Sequence, residues 1–171
     1  PQESQCEGKC IRGIKGEPVA IGALERYVGD NTAADTVEIK PSGKKVAVVG
    51  SGPAGITAAI LLAEKGYDIT IFEMRDQIGG VLTFGIPEFR LKRELVKNLE
   101  HKLKQLGVKI KYNTIVGPVI TVDKLLSDGY DAIFIGTGVW NPKTLNIKGE
   151  TLGNSIYAID YLKNQIKNTK Q

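Results

Sequence analysis

VAVVGSGPAGITAAILLAEKGYDITIFEMRDQIGG, residues 46–80, begins with four apolar residues and ends on a pair of glycines. Residues 46–49 read as a buried strand, and Gly50-Ser51-Gly52-Pro53-Ala54-Gly55 fits G-x-G-x-x-G at a strand-to-helix turn. Gly50 permits the tight turn, Gly52 lets the backbone approach a pyrophosphate, and Gly55 lets helix and strand pack closely. Pro53 suits the first helical turn, where its missing N–H costs nothing. Free N–H groups and the dipole of a helix over 53–65 then favour phosphate charge. Glu73 closes the next expected strand, 69–73, at the ~20-residue distance of a carboxylate that grips ribose hydroxyls. Its charge repels a 2′-phosphate, which leaves FAD or NAD(H), not NADP(H), as the ligand of this turn.

Outward from this stretch, the pattern of a parallel sheet continues. Strands are expected over 45–49, 69–73, 109–112 and 132–136, and helices over 53–65, 91–106 and 122–127. Leu91, Leu95, Leu99, Leu103 and Leu106 recur three or four apart, the spacing of one apolar helix face laid on a sheet, with His101 on the solvent side. The fold class is therefore α/β, a Rossmann-like dinucleotide-binding domain over 44–171. It is preceded by a polar lead-in over 1–43 with both cysteines and a short helix over 21–28. A further helix is expected over 155–167.

With 171 residues, of which 42% are hydrophobic and 25% charged, the chain suffices for one ordinary domain and a small appendage. No apolar run approaches the ~20 residues of a membrane span, and the polar first residues do not read as a signal peptide. A net charge of +4, with lysines spread rather than clustered among aromatics, argues against nucleic acid as a partner. Two cysteines in such a chain suggest a reducing, cytoplasmic setting. The single histidine excludes a His pair or a His-rich metal site. Cys6-Glu7-Gly8-Lys9-Cys10 has C-x3-C spacing. Two thiols cannot fill four ligand positions, so metal ligation and two idle cysteines both stay open on spacing alone.

Further motifs carry a family resemblance. Met74-Arg75-Asp76-Gln77-Ile78-Gly79-Gly80 after Glu73, and Tyr130-Asp131-Ala132-Ile133-Phe134-Ile135-Gly136-Thr137-Gly138, resemble flavoproteins with two dinucleotide-binding domains. The resemblance implies that the Gly-Gly pair passes close to FAD and that the T-G turn lies beside the flavin, which makes FAD the ligand. Residues 1–10, then Gly16-Glu17-Pro18-Val19-Ala20-Ile21-Gly22-Ala23-Leu24-Glu25-Arg26-Tyr27, Gly85-Ile86-Pro87-Glu88-Phe89-Arg90 and Gly149-Glu150 narrow it further. Nearly the whole chain resembles the small (beta) subunit family of NADPH-dependent glutamate synthase. Its wider relatives include dihydropyrimidine dehydrogenase and the large subunit of NADH-dependent ferredoxin–NADP oxidoreductase.

That resemblance implies roles residue by residue. Gly50, Ser51, Gly52, Pro53, Ala54 and Gly55 would form the pyrophosphate turn, Glu73 would hold the ribose, and Met74 and Arg75 would also belong to the cofactor site. Gly79, Gly80, Val81, Arg90 and Gly138 would lie along the flavin side, and Val116 near the adenine. Cys6 and Cys10 would be [4Fe–4S] ligands, of one cluster or of two. Glu25 falls where relatives supply a non-cysteine ligand, or is an exposed helix glutamate. The family pattern C-P-x4-C-x3-C starts here at its Pro, and one G-x-G-x-x-G occurs, which FAD claims.

The expectation is thus the FAD-binding portion of a larger NAD(P)H-dependent oxidoreductase. Electrons would pass from NAD(P)H through FAD to iron–sulfur clusters, and the NAD(P)H domain and a large catalytic or ferredoxin-linked subunit would be its partners. No catalytic residue is assigned, and the chain alone is expected to be inactive and to hold no complete cluster. The competing expectation is a non-catalytic nucleotide-binding or docking module. A third, half of an NAD-dependent dehydrogenase, fails on the Gly79-Gly80 and T-G motifs.

Overall fold

The structure, a computed structural model, describes residues 4–32 and 38–168. The chain divides into two compact units, Pro1–Val37 and Glu38–Gln171.

In the first unit, α1 (Gln5–Gly8) leads through a 3-10 turn (Ile11–Ile14) to α2 (Ile21–Asn31), and none of these elements buries a residue. Side chains bonding to backbone hold it instead. Ala20 at the N-cap of α2 has no side-chain oxygen to offer, so Glu7, fifteen positions upstream, accepts the Gly22 N–H at 2.9 Å. Cys10 Sγ accepts the Val19 N–H at 3.5 Å. At its other end α2 runs three residues past the expected Val28. The Asn31 amide donates to Tyr27 O and the Thr32 hydroxyl to Val28 O.

The second unit is built on four parallel strands: β1 (Lys45–Val49), β2 (Asp68–Phe72), β3 (Lys109–Lys111) and β4 (Ala132–Ile135). Their order is β3-β2-β1-β4, with Val48 beside Ile71 on one side and Phe134 on the other. Alternation along the strands sorts two cores. Val46, Val48, Ile69 and Ile71 face α3 (Pro53–Glu64) and α5 (Arg93–Gln105), joined by Ile56, Ala59, Ala63, Val96 and Leu103. Ala47, Val49 and Phe72 face the other way, onto Leu125 of α6 (Val122–Ser127), with Tyr130 packed edge-on against Phe72. The four expected strands and the helices of this unit are present, with ends shifted by up to three residues. A one-turn helix, α4 (Val81–Phe84), and the exact start of α7 (Ala158–Asn168) were not legible in the sequence.

One expectation needs correction. Leu95 is 44% exposed, whereas Val96 and Leu103 are buried and Leu91, Leu99 and Leu106 partly so. Positions four apart drift about 40° around a helix. The buried arc of α5 therefore centres between Leu99 and Val96, and Leu95 falls on its edge. The 38–43 segment belongs with the second unit because Ser42 N–H donates to Gly66 O at 2.8 Å, strapping it to the α3–β2 turn. No helix among the described residues is long and apolar enough to cross a membrane.

Candidate functional site

From β1 the chain winds to β2 and β3 on one side, while β4 lies on the other. The strand order therefore reverses at β1, and the crevice beyond the carboxyl ends of β1 and β4 is where ligands enter open α/β sheets. A cleft of about 400 Å³ lies there, in the range of cofactor sites, bordered by Val49, Phe72 and Gly136 at the strand ends.

The 50–55 turn forms its floor. Gly50 has φ +94°, and a Cβ on it would stand 2.5 Å from Gly136 O, so only glycine fits. A Cβ on Gly55 would meet Gly50 O at 1.9 Å, which is the close helix–strand contact. Gly52, the N-cap of α3 with Pro53 at its first turn, would meet nothing within 4 Å. Its Cβ position opens into the space that a ligand phosphate would use, facing the unspent N–H groups of a helix start. The cleft thus fits a dinucleotide phosphate.

Two flanking segments close on this turn. The Gly79 N–H donates to Ser51 O at 2.8 Å, and a Cβ on Gly80 would come 2.9 Å from Gly52 Cα. The glycine pair therefore packs directly on the phosphate turn. On the other side the Gly136 N–H donates to Val49 O, and Thr137 O accepts the indole N–H of Trp140 at 3.0 Å.

Glu73 is 5% exposed, and a buried carboxylate needs donors. Its Oε2 accepts from both the N–H and the hydroxyl of Ser51, and its Oε1 from the Arg75 N–H at 2.8 Å. Three of about four acceptor directions are spent on the loop itself, leaving one for a ribose hydroxyl. Met74 lies exposed on the cleft wall, and Thr114, Ile115 and Val116 run alongside, tied by the Thr114 N–H to Glu73 O.

Of the expected cofactor residues, the structure gathers Gly50, Ser51, Gly52, Pro53, Ala54, Glu73, Met74, Arg75, Gly80, Val81, Val116 and Gly138 around the cleft. Gly55 and Gly79 support it from behind. Arg90 lies outside the lining, exposed, with its guanidinium 6.0 Å from the Phe89 ring. Trp140, Thr114, Ile115 and Ile159 of α7 line the cleft without any motif to announce them.

In the first unit, hydrogen bonds from the Val19 amide, then Arg12, hold the Cys10 thiol below its usual range, against the opposing pull of burial. Among the described residues no group of three or more His, Cys, Asp or Glu could hold a metal ion. Cys6 and Cys10 are free thiols, and Glu25, exposed on α2, is not brought to them in such a group. Two thiols fill at most two of a cluster's four ligand positions, so a four-ligand cluster would need further ligands.

Fold and cleft define a dinucleotide-binding α/β unit. Residues 48–94 match the NAD(P)-binding Rossmann-like domain family, and residues 1–37 match dihydropyrimidine dehydrogenase domain II, 4Fe-4S cluster. The glutamate synthase [NADPH] small chain of Escherichia coli is 38% identical over 176 residues, spanning 100% of this chain and 36% of that protein. The beta subunit of the NADP(+)-dependent formate dehydrogenase of Moorella thermoacetica is 38% identical over 174 residues, spanning 86% and 24%. Among solved structures, Mycobacterium tuberculosis FprA in complex with NADPH matches with TM-score 0.63 at 27% identity, covering 72% of this chain and 28% of FprA. A 2-naphthoyl-CoA reductase complex matches with TM-score 0.62 at 32% identity, covering 75% and 19%. The chain resembles a fragment of the glutamate synthase [NADPH] small-chain family, and it spans well under half the length of these curated relatives.

Proposed function

We propose that this chain is the FAD-binding part of an NAD(P)H-dependent oxidoreductase like the glutamate synthase small chain. The observation that carries the reading is the open Cβ position of Gly52 between two flanking turns, Gly79-Gly80 and Gly136-Thr137-Gly138. A bound FAD would supply acceptance of reducing equivalents from NAD(P)H and their release toward iron–sulfur clusters. The chain's own part is to bind and orient. The 50–55 turn would hold the pyrophosphate, the remaining lone pair of Glu73 the adenosine ribose, and Val116 the adenine side. Cys6 and Cys10 would ligate iron, Glu25 would be a further ligand, and Arg90 would serve the flavin end. A large subunit would receive the electrons, as the words "small chain" and "subunit beta" in the relatives' names suggest. The two free thiols favour a cytoplasmic setting.

A second reading, NAD(H) in the same cleft, is favoured by the name of the family matched over residues 48–94. Equilibrium dialysis against FAD and against NADH separates the two. Retention of FAD in preference to NADH, lost in Gly52→Val, supports the first reading. Preference for NADH, or FAD binding unchanged by Gly52→Val, overturns it.

A further inference from the structure

Among the described residues, Glu73 and Arg75 are the only ionisable side chains that line the cleft. Glu73 is buried, and three of its acceptor directions are taken by Ser51 and the Arg75 backbone. Arg75 is in the opposite state. Its guanidinium lies 4.4 Å from the centre of the Phe84 ring and 4.8 Å from that of Trp140. Phe84 is 5% exposed and the Trp140 indole is pinned to Thr137 O, so both rings are fixed platforms. None of the ion pairs among the described residues includes Arg75.

The placement of those rings matters. Phe84 ends the helix that starts from Gly80, packed on Gly52, and Trp140 follows the turn whose Gly136 packs on Gly50. Arg75 thus joins the two segments that flank the phosphate turn. A guanidinium stacked between aromatic faces keeps its N–H donors in its own plane, and it stays charged at any pH of interest. Holding an unneutralised cation in a half-buried cleft is costly unless an anion arrives to meet it.

We propose that Arg75 is the counter-charge for the ligand's pyrophosphate and the residue that makes this cleft select phosphate-bearing dinucleotides. The inference rests on the FAD reading above. Backbone amides and the α3 dipole offer only partial positive charge, about half a unit at a helix start, against a pyrophosphate carrying two negative charges. Arg75 supplies a full one. Lys163, whose ammonium lies 5.0 Å from the Trp140 ring, is already paired with Asp160 at 3.0 Å and does not line the cleft, so it does not take this part.

The test measures FAD affinity by equilibrium dialysis at ionic strengths of ~0.01 M and ~0.15 M, between which the screening length falls from about 30 Å to 8 Å. Arg75→Met keeps an unbranched apolar stem between the rings and removes the charge, while Arg75→Lys keeps the charge and loses the planar fork. Thermal unfolding and Trp140 emission, from the sole tryptophan, establish that each variant is folded. Arg75→Met is expected to weaken FAD about tenfold or more at low salt, the scale of a lost charged hydrogen bond, and to lose most of the salt response. Arg75→Lys is expected to keep that response. If Arg75→Met binds as tightly as the wild type, or binds more weakly with the salt response intact, Arg75 is a packing residue and the proposal fails while the FAD site stands. If the wild-type chain does not bind FAD, the functional reading itself fails.

Discussion

The two units of this chain are held by different forces. Every buried hydrophobic side chain among the described residues lies in Glu38–Gln171, most of them in one core on each face of the sheet. The elements of Pro1–Val37 bury none, and Ile11 and Ile14 are 82% and 78% exposed. The second unit stands on apolar burial, while the first relies on a few side-chain bonds to backbone. A motif built on burial announces itself through periodicity. One built on ligation shows only its ligands.

The largest expected effect sharpens that contrast. Leu103 is fully buried under the sheet, and Leu103→Ala should cost about 2–5 kcal/mol in denaturant unfolding. Ile11→Ala, at an exposed site, should stay within about 0.5 kcal/mol. A comparable loss from Ile11→Ala would break the comparison by showing a hidden core in the first unit.

Within the second unit, Gly55→Ala forces a Cβ to 1.9 Å from a backbone oxygen and should cost about 1–3 kcal/mol through overpacking. Gly52→Ala meets nothing and should leave the melting temperature nearly unchanged while weakening the dinucleotide. If both variants lose stability alike, the opening at Gly52 is not the ligand's space.

In the first unit, Glu7→Ala removes the distant cap of α2 and should lower helicity and stability by about 1 kcal/mol, measurable by circular dichroism. The smallest effect concerns Glu100. The hydrogen bond it accepts from Lys104, helped by the one from Tyr112, holds its carboxyl below the usual range, while burial and the hydrogen bond to Glu100 push the Tyr112 phenol up. A depressed carboxyl stabilises the fold above its unfolded value of about 4.3, and that contribution fades as pH falls through the folded value. Glu100→Gln should therefore melt slightly below the wild type at pH 7, with the gap closing on acidification. A gap that is constant with pH would assign the pair to packing.

These contrasts track what could be read from residues alone. The glycine turn, Glu73 and the four strands follow from local spacing, since each is a pattern within a few dozen residues. Leu95 was misplaced because a leucine repeat every four residues drifts around the helix, and Val96 carries the burial that the repeat suggested. The Ser51–Glu73 bond leaves no trace in spacing, because any small polar residue fits that turn position. Nor does the Phe84–Arg75–Trp140 stack, whose members come from three separate segments. Arg90 matched a family position yet lies outside the cleft lining, so a motif can identify a neighbourhood without fixing where a long side chain goes.

The pairing of β1 with both β2 and β4 has a consequence in time. Val46 meets Ile69 after a short excursion of the chain, but meets Ala132 only after everything from α3 to α6 has been traversed. Closing the longer loop costs more entropy before any contact rewards it, so the β1–α3–β2 half can assemble ahead of β4. The phosphate turn and Glu73 belong to the early half, whereas the 136–140 wall and Trp140 arrive with the late strand. A ligand that needs both walls can therefore engage only a molecule in which β4 has joined the sheet.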